Sequence, residues 1–510
     1  MYRHNQKQLE FETFELPFGG KLRSDNRWVK LAKFIPWGQF EPAYSKSLTN
    51  SGLGPPAKSV RVALGALIIK ERLGTSDEET VEQIRENPYL QYFLGYKAYE
   101  DEKPFDPSLF VYFRKRFGKK MLAKINESIA RKALEQEKQS KDRSQTKNDD
   151  DSTPTGGGSE NQGKLLLDAT CTPADITFPT DLKLLNTARE KSEGIIDILH
   201  SPFKGKYPKP RTYRKLARKA FLSAAKSKRL SKSKRRKAIR KQLGYLKRNL
   251  KSITKLSQRT PLTKLSPRQY KELLVIHEVY RQQQWMYDQH ENRIDDRIVS
   301  ISQPHVRPIK RGKAGAATEF GAKISVSLIN GISFVDRISW DAFNESGDLI
   351  DQIKAFRKRF GHYPASVHVD RIYRNQDNRR FCKKHGIRLS GPPLGRPPAA
   401  VEIQKEIKKQ VRQDELDRIP IEGKFGQGKR RFSLSRIMCK LAVTSETAIA
   451  VSFIVMNLEK WLKGLSSLFF TSSLLFMVHI RVLQRRFNGL LGRLVGKYFQ
   501  AKMHLSLLRG

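Results

Sequence analysis

The chain has 510 residues, enough for two or three domains with sizeable cores, and its 98 lysines and arginines against 51 acidic residues give a net charge of +47. So large an excess repels itself unless a polyanion is the usual partner, which points to nucleic acid, with an anionic membrane surface as the weaker alternative. Three cysteines far apart (Cys171, Cys382, Cys439), with no Cys-x-x-Cys pair, argue against a zinc module and a disulfide framework and fit a reducing compartment.

The first residues, Met-Tyr-Arg-His-Asn-Gln, are polar and lack the apolar core of a signal peptide. Residues 58 to 118 read as a compact helical unit. Val60, Leu64, Leu67 and Ile68 share one helical face, Gly74 ends that helix, Ser76 with Glu79 forms a Ser-x-x-Glu capping box, and Asn87-Pro88 starts a third short helix with Tyr89, Tyr92 and Phe93. Three short helices joined by tight turns in a basic protein predict a helix-turn-helix-like DNA-binding domain over 1–136; a helical cap without DNA contact fits the same periodicity. Residues 137–163 have almost no apolar content and read as a flexible linker.

After it, Lys164-Leu-Leu-Leu-Asp168-Ala-Thr predicts a short buried strand delivering an aspartate at its end. A helical insertion over 181–310 follows. Between Lys204 and Lys251 there are 21 lysines and arginines and no acid, with Leu216, Phe221, Leu222, Ile239, Leu243, Leu246 and Leu250 at helical spacing. A charge run is usually a solvated face, but 48 residues without a compensating acid favour contact with phosphates. Glu319–Ile329 and Ile332–Ile338 alternate as strands around an Asn330-Gly331 hairpin turn. A helix over about 348–360, a strand Ser366–Asp370 ending in aspartate, and a strand at Ile387–Ser390 come next, then a Gly-Pro-rich break. One helix is expected over about Ala399–Leu416 and another from Glu422 towards Met438, with a C-terminal helical tail over 464–510. The most apolar run, Leu468–Ile480, spans 13 residues and includes Thr471, Ser472, Ser473 and His479. A bilayer needs roughly 20 apolar residues, so the run reads as a buried helix and the protein as cytoplasmic.

Glu422 stands alone among cations in Arg418-Ile-Pro-Ile-Glu422-Gly-Lys-Phe-Gly-Gln-Gly-Lys429-Arg430-Arg431. A carboxylate there repels the phosphates its neighbours attract, a conflict that disappears if it holds a divalent metal while Arg418 and Lys429 grip DNA. With the aspartates Asp168 and Asp370, it supplies the hard oxygen ligands that a pair of magnesium ions needs in phosphodiester chemistry. Singly, each aspartate fits a turn residue and Glu422 fits a surface pair with Arg418.

Arg418-x3-Glu422-x6-Lys429 resembles the glutamate signature of DDE transposases of bacterial insertion sequences, most closely the group typified by insertion sequence five. Leu166-Leu167-Asp168-Ala169-Thr170 is similar to that family's first-aspartate motif and Asp370-Arg-Ile-Tyr373-Arg374-Asn375-Gln-Asp-Asn378 to its second, while Glu86-Asn-Pro-Tyr-Leu-Gln-Tyr-Phe-Leu-Gly95 resembles its DNA-binding domain. The resemblance implies an α/β, RNase H-like mixed-sheet catalytic core over 164–463, interrupted by the basic insertion. It also implies Asp168, Asp370 and Glu422 as catalytic ligands of two Mg2+ ions (Mn2+ substituting), and DNA contacts from Tyr373, Arg374, Arg418, Lys429 and Arg430. The reaction implied is cleavage at the element's terminal inverted repeats and strand transfer to target DNA, by at least a dimer at the bacterial nucleoid. Two positions depart from the family pattern: Glu415 stands where a tyrosine is usual, and Ile372 where glycine is common. The competing reading is a degenerate or non-catalytic DNA-binding protein derived from a transposase. A basic RNA- or ribosome-associated protein accounts for the charge but not for the carboxylates.

Overall fold

The structure, a computed structural model, describes residues 14–16, 19–48, 56–145, 161–227, 229–310, 318–396 and 398–465. Its N-terminal part is helical: α1 (Arg27–Phe34), α2 (Trp37–Ser45), α3 (Val60–Leu73), α4 (Asp77–Glu86), α5 (Pro88–Leu94), α6 (Leu109–Arg116) and α7 (Lys119–Gln145). Local chemistry sets the ends. The Ser59 hydroxyl caps α3, which stops at Gly74 in the left-handed conformation (φ 70°) that glycine adopts without a Cβ clash. Ser76 accepts the Glu79 N–H to start α4, and Asn87 caps α5 ahead of Pro88. Only half of the expected capping box forms, because the Glu79 carboxylate accepts instead from Gln83, one turn on.

The expected linker at 137–163 needs correction at both ends. Helix α7 continues through Gln145, carried by straight-chain Glu, Lys and Gln of good helix propensity rather than by apolar burial. At the other end Gln162 already donates to the Tyr363 carbonyl. Residues 146–160 lie outside the described part.

Strand β1 (Lys164–Pro173) opens the sheet. It is longer than expected, so Asp168 sits in the middle of the strand: Ala169 through Pro173 continue the antiparallel pairing down to Gly321. Four helices follow, α8 (Asp181–His200), α9 (Arg214–Ala225), α10 (Lys232–Ser257) and α11 (Pro267–Asp288). The chain then returns through β2 (Arg307–Lys310), β3 (Thr318–Ile329) and β4 (Ile332–Ser339), so the insertion ends before β2 and not at 310. Asn330 (φ 49°) and Gly331 (φ 79°) make the hairpin turn between β3 and β4, both with positive φ as a two-residue type I′ loop requires. Beyond it come α12 (Leu349–Phe360), β5 (Ser366–His368), α13 (Gln376–Lys384), β6 (Arg388–Leu389), α14 (Val401–Arg431) and α15 (Ala442–Leu465).

The sheet order is β2-β3-β1-β5-β6, with β4 also on β3. Strand β1 is the pivot, antiparallel to β3 and parallel to β5, which is parallel to β6. Helix α14 is one rod where two helices were expected. Pro420 does not break it, because both Pro420 and the preceding turn at Leu416 are exposed, where water satisfies the freed carbonyl.

Among the described residues two large hydrophobic cores result, beside a small third cluster of Ala174, Val299 and Val306. One runs without interruption from Phe14 through the N-terminal helices, the sheet and α15 to Leu458. The other belongs to the insertion, where Leu185, Ile196, Leu246, Ile253 and Ile276 pack α8, α10 and α11 together. Helix α15 is apolar enough in length and composition to cross a membrane, yet it is the keystone of the first core, with Ile449, Phe453, Ile454, Val455 and Met456 all buried. Its polar residues reach both neighbours: Thr447 donates to carbonyls at Arg114 and Phe117, Ser452 to Glu71, and Asn457 bonds Asn126 of α7 and Ser333 of β4. The apolar run at 468–480 and the tail expected at 464–510 fall outside the described residues beyond Leu465.

Candidate active site

The parallel pairing of β1 with β5 places Leu166 beside His368. Two residues further along each strand direction stand Asp168 and Asp370, and the period-2 alternation of a strand carries both to the same edge of adjacent chains. Helix α14 supplies the third carboxylate. Its orientation is held one and two turns earlier: Asp414 takes both ends of the Arg388 guanidinium (2.8 and 3.0 Å) and the Gly391 N–H (2.8 Å), and Asp417 takes the Lys164 ammonium (2.6 Å). Further on, Ile421, Phe425 and Gly428 are buried; a Cβ at Gly428 would come within 2.6 Å of a Leu434 methyl, which would have to shift. With that face turned inward, Arg418, Glu422 and Lys429, spaced four and seven apart, lie along another.

The three expected ligands differ in environment. Asp168 is half-buried, and its Oδ1 accepts its neighbour Ala169 N–H (2.8 Å). Burial pushes its carboxyl up to about 6; nearby Glu345 and Asp370 add to the rise, while the Ala169 N–H and Arg418 work against it. Asp370 follows β5 and caps a single 3-10 turn, accepting the Arg371 N–H (2.7 Å). It is 56% exposed, and Glu422 57%. Arg418 joins these two: Nη1 donates to Asp370 Oδ1 at 3.1 Å and Nη2 to Glu422 Oε1 at 2.9 Å. Burial works against the Arg418 charge, but the bonds to Glu422 and Asp370 outweigh it and raise its pKa. Glu422 therefore makes the helical pair with Arg418 that its spacing allows, and through the same guanidinium it is tied to Asp370.

Among the described residues, the group of His, Cys, Asp or Glu whose ligand atoms all lie within 4.8 Å of one another is a different one: His368, Asp414 and Asp417, a possible metal-binding cluster. Its Nδ1 of His368 is buried without a hydrogen-bond partner. Both carboxylates, however, already hold Arg388 and Lys164, which outweigh the burial of each aspartate and keep both below the ordinary carboxylate range. An ion entering there has to displace two cations. The cluster's evident work is to fasten α14 to the sheet next to Asp370.

The expected DNA-contacting residues divide. Arg430 is exposed and Lys429 partly so. Arg374 is half-buried and donates to the Pro392 carbonyl, packed over Gly391. Tyr373 contradicts its expected place: it is fully buried beneath the site, its hydroxyl near Ser325 but outside hydrogen-bond geometry, and burial drives the phenol well above its usual range. It supports the loop carrying Asp370 and cannot reach DNA. Ile372, at the position where related chains favour glycine, is 51% exposed and makes no positive φ, so the β-branched side chain is unstrained here. Sequence reading missed Glu345, which pairs with Lys323 (3.2 Å) close to Asp168, and the anchors Asp414 and Asp417. The spacing Asp414, Arg418, Glu422 along one helical line was the available signal.

The sequence has matching relatives. Residues 367–459, which include Asp370 and Glu422, match the family model described as "Transposase DDE domain", and residues 17–116 match "Transposase domain (DUF772)". Over these two stretches the chain is similar to transposases of the DDE class. A similar curated protein is "Uncharacterized protein ORF8 in nfe locus" of Rhizobium meliloti, 31% identical over 157 residues, which is 31% of this chain and 66% of that protein, just under two thirds of its length. No solved structure matches the chain.

Proposed function

We propose that this protein binds the terminal inverted repeats of its own insertion sequence and catalyses divalent-metal-dependent cleavage and transfer of DNA strands. The observation that carries the reading is the meeting of Asp168 in mid-β1, Asp370 just after β5 and Glu422 on α14, more than 250 residues apart at the extremes, with one guanidinium bonding the last two. The donor set fits hard cations: three carboxylates, two of them more than half exposed and each with an oxygen that makes none of the bonds described above. Asp168, Asp370 and Glu422 would hold Mg2+, or Mn2+ in its place. Bound there, the metal supplies Lewis acidity that activates the attacking oxygen and stabilises the leaving one.

The chain's own residues do the rest. Lys429 and Arg430, further along the same helix, extend the cationic lining towards a DNA backbone, and Glu345 with Tyr373 forms the floor under Asp168. The strand order supports an RNase H-like core: a long antiparallel hairpin on one side of the central strand, parallel strands on the other, and acids on β1, after β5 and on a late helix. In the insertion, Lys234, Lys237, Lys241, Arg248 and Lys251 of α10 are exposed opposite its buried leucines, a surface for phosphates. The N-terminal unit is the DNA-binding domain of this reading. Its α4 is acidic at Asp77, Glu78, Glu79 and Glu82, so the exposed Lys115, Lys120 and Lys124 of α6 and α7 are the better candidates for DNA contact. The insertion-sequence-five-like group, a dimer pairing two element ends, and work at the cytoplasmic nucleoid belong to the same proposal.

Purified protein with Mg2+ should nick or join duplex DNA carrying the sequences that flank its gene. Asp370→Ala should abolish the reaction and leave binding to the same duplex nearly intact. Equal cleavage by wild type and the Asp168→Ala, Asp370→Ala and Glu422→Ala variants sinks the catalytic assignment, leaving the non-catalytic DNA-binding reading.

A further inference from the structure

Arg418 occupies the site it was expected only to border. Each of its two terminal nitrogens is given to a different carboxylate, at 3.1 Å on Asp370 and 2.9 Å on Glu422. Those carboxylates come from a loop and a helix 52 residues apart, and among the described residues Arg418 is the cation that pairs with them. The three acids, Asp168 included, do not close to the mutual spacing of 4.8 Å that the anchoring cluster next to them reaches. A guanidinium wedged between two acids accounts for that opening. It neutralises them as a metal ion would, and it occupies Asp370 Oδ1 and Glu422 Oε1, one oxygen of each acid.

The same fork matches a phosphate diester at least as well as a carboxylate pair, since planar guanidinium recognises both in bidentate fashion. Arg418 is 28% exposed, so a backbone phosphate laid across the site can reach it. We infer that Arg418 is an internal counter-ion: it holds Asp370 and Glu422 apart from metal in the free protein and hands them over when a DNA phosphate draws its guanidinium away. Metal loading and DNA binding are then coupled. By linkage the coupling is reciprocal, with each ligand strengthening the other by the same factor. A cleaving site that stays unloaded until DNA arrives protects against cutting at random. The inference rests on the reading of Asp168, Asp370 and Glu422 as the metal ligands, and its test separates the two.

The measurement is Mn2+ affinity of the full chain, from electron paramagnetic resonance of the free ion, with and without a duplex of the gene's flanking sequence and with the duplex's own Mn2+ binding subtracted. Arg418→Gln removes the charge; Arg418→Lys keeps a point charge that cannot fork between two carboxylates. Arg380→Gln removes an exposed charge of α13 that the site does not use. In the absence of DNA, both Arg418 variants should bind Mn2+ more tightly than wild type by roughly 5- to 150-fold, the range of ordinary coupling energies, with Gln above Lys. Arg380→Gln should differ from wild type by less than about twofold on the same scale. Duplex should tighten Mn2+ binding by wild type and leave the Arg418 variants nearly unchanged. If Asp370→Asn and Glu422→Gln bind Mn2+ as wild type does, the metal-site reading itself fails. If those two lose Mn2+ but both Arg418 variants match wild type, or if duplex adds nothing to wild type, the site stands and the counter-ion is overturned.

Discussion

The N-terminal helices and the insertion look alike in sequence, both helical and both read as nucleic-acid modules, yet the structure builds them in opposite ways. The N-terminal unit has no core of its own apart from the sheet: Phe34 stacks on Trp461 at 3.8 Å, Arg72 pairs with Glu459, and Asn126 donates to Ser333. The insertion carries its own buried cluster and leaves its cations outside. A region that shares a core with the site holds position to it rigidly. A region with a separate core can grip a polyanion and move without disturbing the carboxylates. Chain connectivity suggested the reverse, with a linker setting off the N-terminus and the insertion lying within the catalytic domain.

The largest effect that tests this contrast is in the shared core. Phe453→Ala, at a fully buried position of α15, should cost about 3–5 kcal/mol. Hydrogen exchange should then rise together in α3, α7 and β4 while α8 and α10 keep their protection; separate loss in the N-terminal helices would break the contrast. The counterpart in the insertion is Leu246→Ala, which should cost about 2–5 kcal/mol by the same cavity mechanism. Its increased exchange should be confined to α8–α11, and Mg2+-dependent nicking of a short duplex should survive.

A smaller effect sharpens the account of α14. Lys424, two residues after Glu422 on α14, is buried with only long contacts to the Gly331 and Met456 carbonyls, and burial brings its pKa down to about 8. Below that value the folded protein must hold a charged, poorly solvated amine. The unfolded chain binds the proton more tightly, so this group's contribution makes stability rise between pH 8 and the ordinary lysine value and adds a fixed penalty below pH 8. Lys424→Met should raise stability at pH 7 by on the order of 3 kcal/mol, from a pKa displaced by roughly two and a half units at 1.36 kcal/mol each. Thermal melts showing no gain at pH 7 would contradict it. The smallest effect is in the insertion's cationic face. Each of Lys237→Gln and Lys241→Gln should lower the slope of log affinity against log salt by about 0.9 if the residue meets a phosphate, and by nothing if the face is merely solvated.

Much of the fold was legible because short-range chemistry decided it. Asn330-Gly331 admits few structures other than a tight hairpin, Gly74 and Asn87-Pro88 mark helix ends whatever surrounds them, and the alternation of β3 and β4 shows their faces. The candidate site was legible as residue types. Its geometry was not. Asp168 lies mid-strand because β3 continues the pairing to Pro173, a long-range fact. Pro420 reads as a stop and is tolerated because its turn faces water. Tyr373, beside the aspartate of a surface motif, is buried because a 3-10 turn rotates it inward, which nothing in its neighbours' identity announces. The role of Arg418 is the sharpest case. Its spacing of four from Glu422 was visible, but its second bond, to a residue 48 positions away, appears only once β5 and α14 are side by side.

The central claim is that Asp370 ligates a catalytic metal ion, and a change of metal preference tests it most directly. In Asp370→Cys a thiolate replaces a hard carboxylate oxygen, which disfavours Mg2+ far more than the softer Mn2+. Strand cleavage of the flanking-sequence duplex should vanish with Mg2+ and return in part with Mn2+, with wild type active in both. Cleavage by the variant with Mg2+ at the wild-type rate would contradict the account.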